Sequence, residues 1–239
     1  MEAKQRLIVA LDVSTLDQAR ELVAELKDVA GMFKIGLELF CSHGPRAVET
    51  VHEQGGRVFL DLKFHDIPNT VAGAARAATR MGVAMFNLHA AGGAEMMRAA
   101  VEAARQEAGS GRAPLILAVT VLTSLGADAL REEVGLARPP LEQVVFWADQ
   151  ARDCGLDGVV ASPREISSIR RQCGDGFLIV TPGIRPAGSA QDDQQRVGAP
   201  GEALAAGASY LVVGRPITRA PDRRQAALNI IAEMEASDR

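Results

Sequence analysis

Short apolar runs and alanine-rich amphipathic stretches alternate along the whole chain of 239 residues. The runs are rich in β-branched residues and predict buried strands, whereas the stretches repeat apolar residues every three or four positions and predict helices. The predicted strands are Leu7 to Val13, Met32 to Gly36, Val58 to Lys63, Ala84 to Leu88, Leu115 to Leu122, Gly158 to Ala161, Phe177 to Thr181 and Tyr210 to Gly214. The predicted helices are Leu16 to Val29, Val71 to Met81, Ala94 to Ala108, Leu141 to Cys154, Arg164 to Gln172 and Ala226 to Glu235.

Eight strand-helix units in a chain of this length predict an α/β fold, a single-domain (β/α)8 TIM barrel spanning residues 1–239. A doubly wound open sheet is the alternative, because it shows the same alternation. The strand count and the lack of a G-x-G-x-x-G motif after the first strand favour the barrel. In such barrels the functional residues follow the carboxyl ends of the strands.

Composition excludes several classes of protein. The formal net charge is −4 with no basic run, so we expect no nucleic-acid partner. The apolar run from Leu7 to Leu11 is too short for a signal peptide or a membrane span, so we expect no membrane association. The three cysteines have neither disulfide nor metal-site spacing, which favours reduced thiols and a cytoplasmic location.

Charged residues end the first three predicted strands. They are Asp12, Lys34 and the pair Asp61 and Lys63, and only four of the 26 cationic residues are lysines. Strand alternation predicts that Asp61 and Lys63 point into the barrel together. A buried structural ion pair is the alternative, but buried pairs seldom repay their desolvation, so the accumulation of charge favours a functional site. Polar residues also end the next two predicted strands: Asn87, His89, Thr120 and Thr123.

The segment 61–70, D-L-K-F-H-D-I-P-N-T, follows these charges. Pro68 predicts an extended Ile67, and Asn69 or Thr70 is predicted to cap the next helix. The segment resembles the D-x-K-x-x-D-I-P-x-T signature of the orotidine 5′-phosphate decarboxylase family of pyrimidine nucleotide synthesis. The resemblance covers nearly the whole chain and includes Asp12, F-K-I-G at 33–36, T-P-G-I-R-P at 181–186 and V-G-R-P-I at 213–217.

The resemblance implies decarboxylation of orotidine 5′-monophosphate to uridine 5′-monophosphate without a metal or organic cofactor. Lys63 would stabilise and protonate the carbanion at C6, and the implied catalytic set is Lys63, Asp61, Asp66 and Lys34. The resemblance also implies a homodimer in which Asp66, Ile67 and Thr70 reach the partner's site. Lysine suits the central role because its ammonium is a compact charge that can release a proton, whereas arginine keeps its proton in proteins.

Substrate contacts are assigned by the same resemblance. Asp12 and Lys34 would bind the ribose, and Thr123 and Pro182 would border the base. The strand end at Gly214 and Arg215 is suited to a phosphate group, since barrels of this kind often bind phosphate there. The polar stretch 184–200 that precedes it is predicted to be a mobile loop, and the resemblance implies that Arg185 and Gln194 close over the phosphate.

Three alternatives remain open. Keto-gulonate phosphate decarboxylases and hexulose phosphate synthases share the barrel and the D-x-K-x-x-D pattern but use magnesium, and their loops do not read F-H-D-I-P-N-T. A strand-end lysine could instead form the Schiff base of a sugar-phosphate aldolase, although flanking carboxylates favour a protonated amine. A non-catalytic nucleotide-binding barrel would need only Arg215 and no charged cluster. We expect packing or loop roles for His43, His52, His65 and His89 rather than metal binding.

Overall fold

A computed structural model describes residues 2–186 and 197–236 as a closed barrel of eight parallel strands. Each strand pairs with the next along the chain, and the last pairs with the first. The strands are β1 (Leu7–Ala10), β2 (Met32–Ile35), β3 (Val58–Phe64), β4 (Met85–His89), β5 (Leu115–Val119), β6 (Gly158–Val160), β7 (Leu178–Thr181) and β8 (Tyr210–Val213). The prediction of a single-domain TIM barrel is confirmed, and the doubly wound sheet is wrong.

Helices surround the barrel, and at least one helix lies between each strand and the next along the chain. They are α1 (Ala3–Arg6), α2 (Leu16–Leu26), α3 (Leu37–His43), α4 (Arg46–Glu53), α5 (Pro68–Arg80), α6 (Gly93–Ala108), α7 (Ala127–Glu132), α8 (Pro140–Asp153), α9 (Ile166–Cys173), α10 (Pro200–Ala205), α11 (Arg215–Thr218) and α12 (Arg223–Ala236). The six predicted helices correspond to α2, α5, α6, α8, α9 and α12, with shifted ends. The other helices were not predicted, and all of them except α4 have seven residues or fewer, too few for a clear apolar repeat. No helix in the described ranges is long and apolar enough to cross a membrane.

Alternate residues of each strand belong to two different hydrophobic cores, one outside the barrel and one inside it. One set packs outward against the helices, for example Val9, Phe33, Leu60 and Phe86. The other set fills the barrel interior: Ile8, Ala10, Met32, Phe59, Met85, Leu117, Val180, Tyr210 and Val212. The interior is therefore packed with apolar side chains below the level of the charged strand ends, which restricts any ligand to the carboxyl-terminal mouth.

Strand β3 departs from regular pairing where its charged residues begin. Leu60 pairs with Phe86 and Phe64 with Leu88, so three residues of β3 lie opposite the single residue Asn87 of β4. Within this bulge Lys63 has a φ of 53°, and it is the one non-glycine residue with a positive φ in the described parts of the chain. A side chain in this left-handed region costs about 1–2 kcal/mol, and such strain occurs often at functional sites.

The segment after β3 forms the start of α5 in a different way from the one predicted. Ile67 is extended, with φ −57° and ψ 152°, as its position before Pro68 predicts. The helix begins at Pro68 with Ile67 at the N-cap and no side-chain cap. The capping prediction for Asn69 and Thr70 is wrong because proline occupies the first helical position, so both residues lie inside the first turn.

Candidate active site

A cavity opens at the carboxyl ends of the strands, and side chains from seven of the eight strands or the loops that follow them line it. The predicted site residues that line it are Asp12, Lys34, Asp61, Lys63, Thr123, Pro182, Arg185, Gly214 and Arg215. Their chemistry divides the wall into three parts. We name them the charged sector (Asp12, Lys34, Asp61 and Lys63), the apolar sector (Val119, Val121, Leu122, Val160 and Ala161) and the cationic sector (Gly183, Arg185, Gly214 and Arg215).

The charged sector is a chain of alternating carboxylates and ammonium groups. Lys34 Nζ lies 2.9 Å from Asp12 Oδ1 and 3.4 Å from Asp61 Oδ2. Lys63 Nζ donates a hydrogen bond of 2.8 Å to Asp61 Oδ1. The side chains of Lys34 and Asp61 are 12% and 13% exposed, whereas that of Lys63 is 29% exposed. Lys63 is therefore the lysine of this sector whose ammonium is more open to the cavity.

Lys34 is held in its charged form. Burial lowers its pKa, but the carboxylates of Asp61 and Asp12 outweigh burial, so the pKa of Lys34 is raised above its ordinary value. Gly36 leaves room for this ammonium, because a Cβ there would lie 3.1 Å from Lys34 Nζ. Lys34 thus remains a cation that fixes both neighbouring carboxylates.

Asn87 belongs to this site although the sequence analysis gave it no role. The side chain is fully buried on β4. Its Oδ1 accepts a hydrogen bond of 2.8 Å from the backbone N–H of Lys63, and its Nδ2 donates one of 2.7 Å to Asp61 Oδ1. The signal in the sequence was an amide in the middle of the apolar strand M-F-N-L-H, since a buried amide needs partners.

The apolar sector forms the wall opposite much of the charge. It comes from the ends of β5 and β6 and the loop after β5, and Thr123 and Pro182 lie at its edge. A flat heteroaromatic ring can bury its faces against such a wall and direct its polar atoms elsewhere.

The cationic sector follows β7 and β8. Arg185 Nη1 donates a hydrogen bond to the carbonyl of Ile184, and the backbone N–H of Arg185 donates to Gly198. A Cβ at Gly214 would lie 3.6 Å from Asp12 Oδ2, so the end of β8 adjoins the charged sector. Two guanidinium groups in a partly enclosed cavity suit a phosphate dianion, because their planar N–H groups match its oxygen atoms.

The structure of one chain does not bring every predicted residue to the cavity. Asp66 and Ile67, between β3 and α5, and Thr70, in the first turn of α5, are exposed and do not line it. The Asp66 Oδ1 atom accepts a hydrogen bond from the N–H of Ile67, and within the described residues Asp66 forms no ion pair with Lys34 or Lys63. Ile67 is 67% exposed, a high value for so large an apolar side chain. Gln194 and the larger part of the predicted loop 184–200 lie outside the described residues.

Two histidines lie beside the charged sector. The ring centroids of His65 and His89 lie 5.3 Å apart, and the ring planes are tilted by 42°. Burial, then His65 and Lys63, lower the pKa of His89, so its ring is neutral at physiological pH. Among residues 2–186 and 197–236 no three His, Cys, Asp or Glu side chains are grouped to hold a metal ion.

Residues 5–230 match the family model described as "Orotidine 5'-phosphate decarboxylase / HUMPS family". The orotidine 5'-phosphate decarboxylase of Moorella thermoacetica is 62% identical over 98% of this chain and 94% of its own length. That of Syntrophomonas wolfei is 55% identical over 98% of this chain and 100% of its own length.

A solved structure gives the same result. The crystal structure of orotidine 5'-phosphate decarboxylase from Lactobacillus acidophilus superposes with a TM-score of 0.85 and 39% identity, covering 95% of this chain and 98% of that one. The matched regions contain the strand ends that form the charged, apolar and cationic sectors. The chain therefore belongs to the orotidine 5'-phosphate decarboxylase / HUMPS family.

Proposed function

We propose that this protein decarboxylates orotidine 5′-monophosphate to uridine 5′-monophosphate, the last step of pyrimidine nucleotide synthesis. The observation that carries the proposal is the Lys63 ammonium, held 2.8 Å from Asp61 inside a cavity that also has an apolar wall and two arginines. These three parts match the carboxylate, the base and the phosphate of that nucleotide. The relatives from Moorella thermoacetica and Syntrophomonas wolfei are orotidine 5'-phosphate decarboxylases, which supports the same reaction.

Loss of carbon dioxide from C6 leaves an electron pair in the plane of the ring, where no carbonyl group can delocalise it. A cation next to C6 stabilises this charge, and a unit charge at about 4 Å in an effective dielectric of about 20 contributes about 4 kcal/mol. Lys63 supplies the cation and then transfers a proton to C6. Enzymes lower barriers by about 8–23 kcal/mol, so positioning by the rest of the cavity supplies the remainder.

We assign the rest of the substrate to the remaining sectors. The phosphate lies in the cationic sector against Arg215, Gly214 and Arg185, and Gln194 is assigned to the same group by resemblance. The base lies against the apolar sector near Thr123 and Pro182, and Asp12 and Lys34 bind the ribose hydroxyls. The short distance between Asp12 and Gly214 supports this order, because the ribose connects the phosphate to the base.

Two alternative reactions fit the charged sector less well. A Schiff base requires an amine that is free to attack a carbonyl carbon, but Lys63 Nζ donates a hydrogen bond of 2.8 Å to Asp61 Oδ1. A magnesium-dependent reaction requires free carboxylates, yet Asp12 and Asp61 are each engaged by an ammonium group. A cation at this position would have to displace Lys34 or Lys63.

The proposal includes a homodimer in the cytoplasm. The exposed Ile67 provides apolar surface for a second copy, and Asp66 and Thr70 lie beside it on the same segment. We propose that all three enter the partner's site. The three cysteines are free thiols, which supports a reducing compartment.

The direct test is to add orotidine 5′-monophosphate to the purified protein and follow the ultraviolet change on conversion to uridine 5′-monophosphate. We expect equal rates with and without a chelator, because ammonium groups occupy the carboxylates. Absence of product would contradict the proposal. Inhibition by chelator that magnesium reverses would instead assign the protein to the metal-dependent relatives.

A further inference from the structure

The buried amide of Asn87 contacts the catalytic lysine and its carboxylate partner at the same time. Asn87 lies on β4 with no solvent exposure. It accepts a hydrogen bond from the backbone of Lys63 and donates one to the side chain of Asp61. Asn87 therefore links the main chain of one catalytic residue to the functional group of the other.

The irregular pairing of β3 explains why this amide is needed. In a regular parallel pair, backbone carbonyls of one strand accept the N–H groups of its neighbour. The two extra residues between Leu60 and Phe64 interrupt this pattern, and Lys63 turns to a φ of 53°. The side-chain carbonyl of Asn87 accepts the N–H of Lys63 in place of a strand partner. The unusual backbone of Lys63 is thus held by a side chain from the next strand.

Hydrogen-bond chemistry fixes the orientation of the amide and the residue type. A backbone N–H can only donate, and an ionised carboxylate can only accept, so one side chain must present an acceptor to Lys63 and a donor to Asp61. The amide of Asn87 does this in one orientation only. An aliphatic residue would satisfy neither partner, and an ionised aspartate would repel Asp61.

The contact with Asp61 extends to both lysines. Asp61 Oδ1 accepts from Asn87 and from Lys63 Nζ, while Asp61 Oδ2 lies 3.4 Å from Lys34 Nζ. The donor from Asn87 holds the carboxylate that both ammonium groups share. Loss of this donor would let the carboxylate rotate and both ammonium groups shift.

We propose that Asn87 is a positioning residue for decarboxylation: it sets the Lys63 backbone and the Asp61 carboxylate so that the Lys63 ammonium faces the reacting carbon. This inference rests on the proposed function. Asn87 does not line the cavity, so it acts through Lys63 and Asp61 rather than on substrate.

The first test compares Asn87→Ala with wild type, and Thr50→Val serves as the matched control. Thr50 is also fully buried, and its hydroxyl donates to the carbonyl of Arg46 on α4, away from the cavity. We expect Asn87→Ala to lower kcat by about 100-fold, the effect of misplacing a reacting group by about 1 Å. KM and the affinity for uridine 5′-monophosphate should stay within about threefold, because the phosphate and base contacts are intact.

The second test uses Asn87→Asp and a pH profile. At high pH two ionised carboxylates would meet at hydrogen-bond distance, whereas one added proton restores the donor and acceptor arrangement of the amide. We expect kcat relative to wild type to rise as pH falls from about 9 to about 5. The charged and titratable groups around this position are Asp61, Lys63, Lys34, Asp12 and His89, and comparison with wild type at each pH removes their contribution.

The possible results distinguish failure of the proposed function from failure of the positioning role of Asn87. An inactive wild type contradicts the proposed function. An active wild type with an Asn87→Ala variant of equal kcat per folded molecule overturns the positioning role alone. A parallel loss of kcat in Thr50→Val also overturns it, because the effect would then be one of general stability. If Asn87→Ala does not fold, the Asn87→Asp profile decides, and a ratio to wild type that is constant with pH overturns the proposal.

Discussion

At the scale of single residues, the structure distinguishes two lysines that the sequence presents alike. Lys34 lies between Asp12 and Asp61 and contacts both carboxylates. In the described parts of the chain Lys63 has one carboxylate partner, and its side chain is more exposed to the cavity. The enclosed lysine joins two carboxylates of the charged sector, and the more exposed lysine lies at the cavity. This difference supports the proposal that Lys63 is the proton donor.

Replacing Lys63 with arginine tests that assignment. The guanidinium keeps the positive charge but holds its proton and spreads its charge, so we expect kcat to fall below about a tenth of wild type. The partly exposed side chain leaves room for arginine towards the cavity, so the melting temperature should change little. Lys27→Arg, at an exposed position after α2, is the control. A Lys63→Arg enzyme with near-normal kcat would rule out Lys63 as the donor.

His89 predicts a pH dependence of stability. Burial, then His65 and Lys63, lower its pKa below the ordinary value of 6.5, so the folded state favours the neutral ring. This stabilising contribution is complete above pH 6.5 and is lost as pH falls through the lowered pKa. We expect the melting temperature to fall on acidification below about pH 6.5, and to fall less in His89→Gln. Equal acid sensitivity in both proteins would exclude His89 as a cause.

At the scale of secondary structure elements, the apolar pattern of the sequence predicts the regular strands, but it does not predict where their pairing is interrupted. The alternation of apolar runs predicted all eight strands because each strand buries both faces. The second part of β3, L-D-L-K-F, alternates regularly between apolar and charged residues, and nothing local indicates the bulge that turns Lys63. The bulge depends on pairing with β4, so the role of Asn87 was also invisible without the register.

The charged sector was predictable for the same reason as the strands. Asp12, Lys34, Asp61 and Lys63 stand at strand ends, and barrel closure brings all strand ends together. Asp66 differs, because its predicted contacts belong to a second copy of the chain. Those contacts stay a prediction, as does the closing of loop 184–200 over the phosphate.

Arg215, the first residue of α11, tests how phosphate binding is connected to decarboxylation. Arg215 lines the cationic sector, away from the reacting carbon of the proposed substrate. We expect Arg215→Ala to lower kcat/KM by on the order of 2–4 kcal/mol, the effect of removing a charge-assisted contact from a closed site. The measurement is steady-state kinetics with orotidine 5′-monophosphate.

The matched control is Arg219→Ala, one helical turn later, exposed and absent from the cavity lining. Orotidine without its phosphate should react far more slowly with every variant. It should hardly distinguish Arg215→Ala from wild type, because the partner of the guanidinium is already missing. If Arg215→Ala is equally impaired with this substrate, Arg215 does not bind the phosphate.

At the scale of the whole molecule, the segment bearing Asp66 and Ile67 predicts that two chains share each site. Lys63→Ala and Asp66→Ala should each be inactive as pure dimers. A hybrid dimer has one site with both defects and one with neither, so an equal mixture should recover about a quarter of the wild-type sites after random exchange. Activity is measured after subunit exchange that is verified with tagged chains. A mixture that exchanges and stays inactive would show that Asp66 acts within its own chain.

The three sectors of the cavity wall follow one another along the chain. The charged sector lies within residues 12–63, the apolar sector within 119–161 and the cationic sector within 183–215. In the proposed function each sector contacts one part of the substrate. The residues for each of these contacts therefore lie in a separate block of sequence. A library diversified only at the apolar residues at the ends of β5 and β6 and just after them could select for a different base, while the blocks proposed to bind the phosphate and to perform the chemistry stay unchanged.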